Sequence, residues 1–562
     1  MMEMASKDSL VKSLLSMDGK GYQKYKELSQ FCELDDMTLY LDKIQNDVAS
    51  SSSMRLRISI KKAGFPDDTY DTKAKEIALR DLIARRFWES CRMYAKGNSE
   101  GNSGGMISIP RPGQEILERS SVVMSDTFIE VRFKASLPSA GRNVAGRSAV
   151  KMLTEDLPEI ARSSLHYTSY KQSKLYNHID TAVTAQSIRG SLRERGLVAF
   201  IADGSILPRR DDGLAPMIDA VPFRSPEPLL TTFPTSDGGT VKGMGIPEGL
   251  TAVIGATGHG KTTLIEAISS GVYDHIPGDG RELVITREDA VTVTRDIGRS
   301  VRNVDASMFI YAPNTHSLSA DDADDAVSSA VSAAEMMETG SRLLIMDDTS
   351  VSHGLLYRDE KISGLIPDDD ETMIPIYDFI HESVEEVSAV VACRHGDLAG
   401  NANTVIVMSK HSALFGGHAI AAIITEPPAQ MPADRIPMAR NMDAAKGKKD
   451  AHSAALSTSK MEFGETIIRI PQPVRDICEM SFIADAMLDA KHMMDGTATL
   501  KEIAERLENE YRTKIGSADE NIGPDRAVFR KYDLSAVINR HPDIVFAQRQ
   551  PTADEQLLRH FQ

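Results

Sequence analysis

Apolar positions recur at helical spacing in some stretches of this chain and alternate with polar ones in others. Lys7–Met17 and Thr72–Tyr94 carry the helical period, whereas Arg55-Leu-Arg-Ile-Ser-Ile60 and Thr127–Ala135 alternate as half-buried strands do. Val150–Tyr170 reads as helix, and Gly196-Leu-Val-Ala-Phe-Ile-Ala-Asp-Gly204 as a fully buried strand ending in a turn. Prolines at 208, 216, 222, 226, 228 and 234 then mark an extended crossing, because proline blocks helix and pushes its predecessor toward extended backbone. From 240 to 425 apolar strand, glycine turn and helix follow one another, the pattern of an α/β layer. Val474–Leu507 and Asp533–Asn539 read as helices.

These patterns divide the chain into an N-terminal α+β domain (1–215), a central α/β domain (216–440), a polar linker (441–460) and a small, mainly α-helical C-terminal domain (461–562). The glycine-rich stretch Gly97–Gly105 contains no lysine and reads as a mobile connector rather than a phosphate loop.

Composition narrows the class. No apolar run approaches the roughly 18 residues a membrane helix needs, and Glu3, Asp8 and Asp18 interrupt the N-terminus where a secretory signal would be apolar, so a cytoplasmic protein is expected. Cys32, Cys91, Cys393 and Cys478 form no C-x-x-C pair, which predicts reduced, buried thiols. The formal charge of −17 is concentrated: residues 241–400 hold 11 basic and 28 acidic side chains. A polyanion would be repelled there and tolerated only at local arginine clusters. Arg55 and Arg57, Arg142 and Arg147, and Arg209-Arg210 make RNA a possible further partner of the N-terminal part, weighed against ordinary solvated faces.

Candidate chemistry lies in the middle. Leu250-Thr-Ala-Val-Ile254 leads into Gly255-Ala256-Thr257-Gly258-His259-Gly260-Lys261-Thr262, and Thr263 opens an apolar helix. This is the phosphate-loop pattern in its strand-to-helix setting. Glycines let backbone N–H groups wrap phosphate oxygens, Lys261 neutralises β/γ charge, and the Thr262 hydroxyl suits Mg²⁺. Leu343-Leu-Ile-Met-Asp347-Asp348 supplies an apolar strand ending in acid. Asp347 is the candidate for Mg²⁺, through water, and Asp348 for orienting or deprotonating an attacking water. In Cys393-Arg-His-Gly-Asp397, His395 could meet the γ-phosphate or be an ordinary loop residue.

At these residues the chain resembles the ATPases of the ABC class, a non-transporter family with a single cassette. The resemblance is carried by Asp18-Gly-Lys-Gly-Tyr22, Ala63-Gly-Phe-Pro66, Arg111-Pro-Gly-Gln-Glu115, Leu207-Pro-Arg-Arg210, Gly243-Met-Gly-Ile-Pro247, Gly271-Val-Tyr-Asp-His-Ile-Pro-Gly-Asp-Gly-Arg281 and Tyr532-Asp533. It implies a P-loop NTPase fold of ABC type, ATP and Mg²⁺ as ligands, and a homodimer that closes head-to-tail around two ATP molecules. Three departures bear on mechanism. Asp348 stands where relatives carry Glu, which implies slower hydrolysis. The signature region reads Leu318-Ser-Ala-Asp-Asp-Ala-Asp-Asp-Ala-Val-Ser-Ser329, so either Ser328 and Ser329 grip the partner's phosphate or engagement in trans is weak. His395 sits where relatives show a small residue, yet matches the switch histidine of ABC cassettes more broadly. Phe233 is a candidate adenine stack or core residue, and Asp296 with Arg299 a candidate coupling or plain surface loop. Two other readings remain open, a nucleotide-binding scaffold with little hydrolysis and a small-molecule P-loop kinase.

Overall fold

The structure is a computed structural model and describes residues 5–95, 97, 103–210, 213, 215–358, 372–383, 387–417, 430–439, 452–517, 519 and 521–549. Most of the Gly97–Gly105 connector and of the 441–460 linker lies outside the described residues. The chain divides into two compact units, Met1–Val183 with Tyr511–Val528, and Thr184–Glu510 with Phe529–Gln562.

In the first unit, Phe31–Leu34, Met37–Lys43, Ser52–Ser59, Phe128–Ser136 and Met106–Ser108 form one antiparallel sheet in that order. Met54, Leu56 and Ile58 face the core as period-two alternation requires. Helix Lys73–Tyr94 starts at Thr72, whose hydroxyl accepts the Lys75 N–H. The helix expected over Val150–Tyr170 is interrupted: Gly146–Lys151 and Leu157–Leu165 are joined through a π turn at Met152–Asp156. Pro158 lacks the N–H that would continue the regular ladder there.

In the second unit, Leu250–Gly255 (β1), Ala290–Thr292 (β2), Leu343–Asp347 (β3), Ser388–Ala392 (β4), Thr404–Ser409 (β5) and Ser412–Gly417 (β6) form a sheet in the order β2-β3-β4-β1-β5-β6. The first five strands run parallel, and β6 returns as an antiparallel hairpin. Buried strand residues divide between two faces. Leu343, Ile345 and Val390 pack with Leu264 and Ile268 of helix Lys261–Ser270 (α1). Leu344, Met346 and Val391 pack with Val331 and Ala334 of helix Asp325–Glu338 (α2). A sheet covered on both faces needs such continuous apolar strands.

A second, antiparallel sheet orders Leu230–Pro234, Thr240–Pro247, Leu197–Ala202 and Val284–Thr286. This pairing ties the Leu197–Ala202 strand, expected on the N-terminal side of a boundary near 215, to the second unit. Ser453–Ser457, within the expected linker, pairs with Lys460–Phe463, which pairs in turn with Thr466–Arg469. Helices Ile477–Met493 and Lys531–Ile538 follow.

Candidate functional site

The site grows from the carboxyl end of β1, flanked by β4 and β5, where open parallel sheets bind ligands. Gly255 has φ 149°, and a Cβ there would stand 2.3 Å from the Met408 carbonyl oxygen, so only glycine lets the chain leave the strand this close to β5. Gly260 has φ 96° and forms the N-cap of α1. The loop thus ends where unsatisfied amides and the helix dipole favour an anion. Lys261 is buried and donates to the carbonyls of Gly255 (2.8 Å) and Ala256 (3.2 Å), which folds its ammonium over the loop.

Asp347 pairs across β4 in register with Ala392, which in turn faces Val253 of β1. Its Oδ1 accepts from the Thr349 N–H (2.9 Å) and hydroxyl (2.6 Å). Its Oδ2 is buried, and among the described residues no donor reaches it. A buried carboxylate oxygen without a partner is costly, and a bound cation or its water would satisfy it. Asp348 accepts from the Arg394 amide at 3.2 Å, and the Arg394 guanidinium lies 3.5 Å away. Among the described residues no cluster of three or more His, Cys, Asp or Glu side chains could cage a metal. The donors offered are one hydroxyl and one carboxylate, which fits Mg²⁺ held with substrate phosphates and water rather than by an all-protein cage.

Thr257, Gly258, Gly260, Lys261, Thr262, Thr263 and Asp348 line one cavity of about 500 Å³. His259 flanks it and accepts the Lys410 N–H at 3.4 Å. His395 is not among the lining residues. Its ring stacks on Tyr357 at 4.0 Å and accepts the Asp397 N–H at the start of a short helix. Arg394, one residue earlier, lines the cavity instead and donates to the Thr257 hydroxyl at 3.1 Å. The sequence signal for Arg394 was present inside the Cys393–Asp397 motif, but which of two neighbours faces the loop depends on the turn after β4. Burial pushes the Cys393 thiol up to about 11, so it stays protonated beside the site. All four cysteines are free and buried.

Other expectations resolve differently. Ser328 and Ser329 are fully buried: Ser329 donates to the Asp325 carbonyl and accepts the Ser352 N–H, and Ser328 accepts the Asp296 N–H. They hold α2 in place from inside the core and are not presented at the surface of this chain. The side chain of Asp324 caps α2 through the Val327 N–H, while Asp321 and Asp322 are exposed. Phe233 is a core residue, edge-on to Phe200 at 4.9 Å. Arg299 does not sit on a surface loop. It is buried and bidentate to Glu335 (2.7 and 2.6 Å), and Asp296 accepts from Arg540 at 2.8 Å. Arg55 and Arg57 are engaged by Glu130, and Arg209 by Asp279. Three of the arginines that motivated RNA binding are therefore committed to internal carboxylates.

Comparison with known proteins bears on these features. Residues 171–440 match the P-loop domain of the family described as ABC_ATPase, and residues 7–168 match the family described as ATPase of the ABC class, N-terminal. An uncharacterized protein of Methanocaldococcus jannaschii is 36% identical over 121 residues, which are 20% of this chain and 27% of that protein. The chain thus spans about a quarter of that relative's length. A bacterial Atm1-family ABC exporter with ATP bound overlaps 51% of this chain and 50% of its own at 9% identity and a TM-score of 0.24.

Proposed function

From the premise that this chain belongs to the ATPases of the ABC class, we propose that it binds ATP with Mg²⁺ in the cavity below the glycine loop and hydrolyses it within a homodimer. The observation that carries the reading is the gathering of Lys261, Thr262 and Asp348 around one space of about 500 Å³, large enough for a nucleotide. Loop amides and Lys261 hold the triphosphate, and Thr262 with Asp347 holds the cation. Mg²⁺ would neutralise charge developing on the phosphate oxygens. Asp348 orients a water and accepts its proton as the water oxygen bonds to the γ-phosphorus and the bond to the bridging oxygen breaks.

One phosphate loop per chain and the ABC architecture favour two copies meeting head-to-tail. Burial of Ser328 and Ser329, with Asp321 and Asp322 exposed, favours a weak grip in trans. That observation supports a second reading, a nucleotide-dependent switch with little turnover. Phosphate release, measured with light scattering on the native chain and Lys261→Ala, separates the two. ATP-dependent dimerisation with turnover, both lost in the variant, supports the ATPase. Dimerisation without phosphate release supports the switch, and a monomer indifferent to ATP removes both.

A further inference from the structure

The other side of the same cavity is apolar. Leu207, Pro208, Met217, Val221 and Phe223 line it together with the glycine loop. Met217 is 45% exposed and Val221 51% exposed, although both are large hydrophobic side chains. Single exposed apolar residues are ordinary, but two placed four residues apart on one cavity wall form a surface that gains by being covered.

The wall is held from behind. Arg281 donates to the Leu207 carbonyl through Nε (2.8 Å) and Nη2 (2.5 Å), and Arg209 donates to the carbonyl (2.6 Å) and Oδ2 (2.7 Å) of Asp279. The Met217 N–H donates to the Pro208 carbonyl at 3.0 Å, and Phe223 exchanges backbone bonds with Ser205 and Gly204, both 2.8 Å. Met217 and Phe223, which bracket Val221, are thus fixed to the chain behind them, and a ligand covering this surface meets a wall held at both ends.

A molecule filling this cavity needs a polyanionic end for Lys261 and the loop amides, and a flat apolar end for the wall. That is a nucleoside triphosphate. Phe233 does not supply the stack, because it is buried against Phe200. Phe223 contributes only a rim, being 4% exposed. The surface offered to the base is aliphatic and reads contact area, not a pattern of donors and acceptors. Asp219, among the described residues the one charged side chain lining this stretch, can only accept when ionised. The adenine amino group can give it one hydrogen bond, and the guanine N1–H with its amino group two, so this side chain gives ATP no advantage over GTP.

Resting on the nucleotide site proposed above, we infer that the wall built by Pro208, Met217, Val221 and Phe223 is the base-binding surface and selects purine over pyrimidine nucleotides by apolar area. The test is equilibrium binding of the Mg²⁺ complexes of ATP, GTP, CTP and tripolyphosphate to the full chain and to Met217→Ser/Val221→Ser. The native chain binds GTP at least as tightly as ATP, and CTP about tenfold more weakly than ATP. In the double variant ATP affinity falls about tenfold while tripolyphosphate affinity is unchanged, which also shows that the variant is folded. Unchanged ATP affinity in the double variant overturns the proposal, as does a preference of about a hundredfold for ATP over GTP. Should neither ATP nor tripolyphosphate bind the native chain, the phosphate site itself is refuted.

Discussion

Asp348 accepts a backbone N–H from Arg394 and shares the cavity with Lys261, so its carboxylate is positioned by the turn after β4 as well as by its own strand. Asp348→Asn keeps that acceptor but removes the base. Turnover should fall about a hundredfold or more with ATP affinity changed little, measured by phosphate release and titration. An equal loss of affinity would instead assign Asp348 to binding. Glu479 offers a residue-scale test in a different place. It is fully buried, accepts from the Tyr273 hydroxyl at 3.0 Å, and is pushed up to about 8 by burial, then by the nearby carboxylates of Asp533 and Asp476. The folded chain holds this proton where the unfolded chain, near its ordinary 4.5, has lost it. The resulting stabilisation is complete below about pH 4.5, declines as pH rises and is gone above about pH 8. Glu479→Gln should flatten that part of the profile, read as urea midpoints at about pH 5 and about pH 8. An unaltered slope would show that another group sets it. At this scale the sequence shows which residue types carry chemistry but not always where they point. Lys261 and Thr262 follow a loop whose geometry is local, so their placement was legible. His395 and Phe233 were not, because Tyr357 and Phe200, remote in sequence, determine their orientation.

Among the elements, α2 is tied through two buried carboxylates. Glu335 pairs with Arg299, and Glu338 accepts from the backbone N–H (2.8 Å), Nε (2.9 Å) and Nη2 (2.7 Å) of Arg435. Arg435 also donates to the Arg302 carbonyl and to Asn539, so one guanidinium joins α2, the strand Arg435–Met438 and the segment after helix Lys531–Ile538. Removing one partner leaves an uncompensated buried carboxylate. Arg435→Met should destabilise the second unit by about 3–5 kcal/mol in chemical denaturation, whereas a loss under about 1 kcal/mol would mean that Glu338 is neutralised without it. Strand, loop and α1 were readable because apolar runs, glycines and the helix start are contiguous in sequence. The meander from Ser453 to Arg469 was hidden, since its strands are short and the serines and lysines around it match a linker by composition. The buried ion network was hidden too. Charged residues in sequence read as surface, and only tertiary pairing brings Arg299 and Arg435 inside.

For the whole molecule, the acidity of residues 241–400 is partly internal, with Glu335, Glu338 and Asp279 neutralised by Arg299, Arg435 and Arg209. Arg435 and Arg209 come from outside 241–400, so the 28 acidic against 11 basic side chains of that segment overstate the field a nucleotide meets at the loop. Family membership and the division into an N-terminal part and a nucleotide part were legible from scattered short strings. The extent of the compact units was not, because the Leu197–Ala202 strand is assigned by its sheet partners and 511–528 by contacts distant in sequence. The central claim is that the glycine loop grips a triphosphate through Lys261. Calorimetric titration of Mg²⁺-ATP into the native full chain and Lys261→Ala tests it most directly. The account predicts saturable uptake of one nucleotide per phosphate loop, weakened about a hundredfold or more in the variant. No uptake by the native chain, or equal uptake by both, would contradict it.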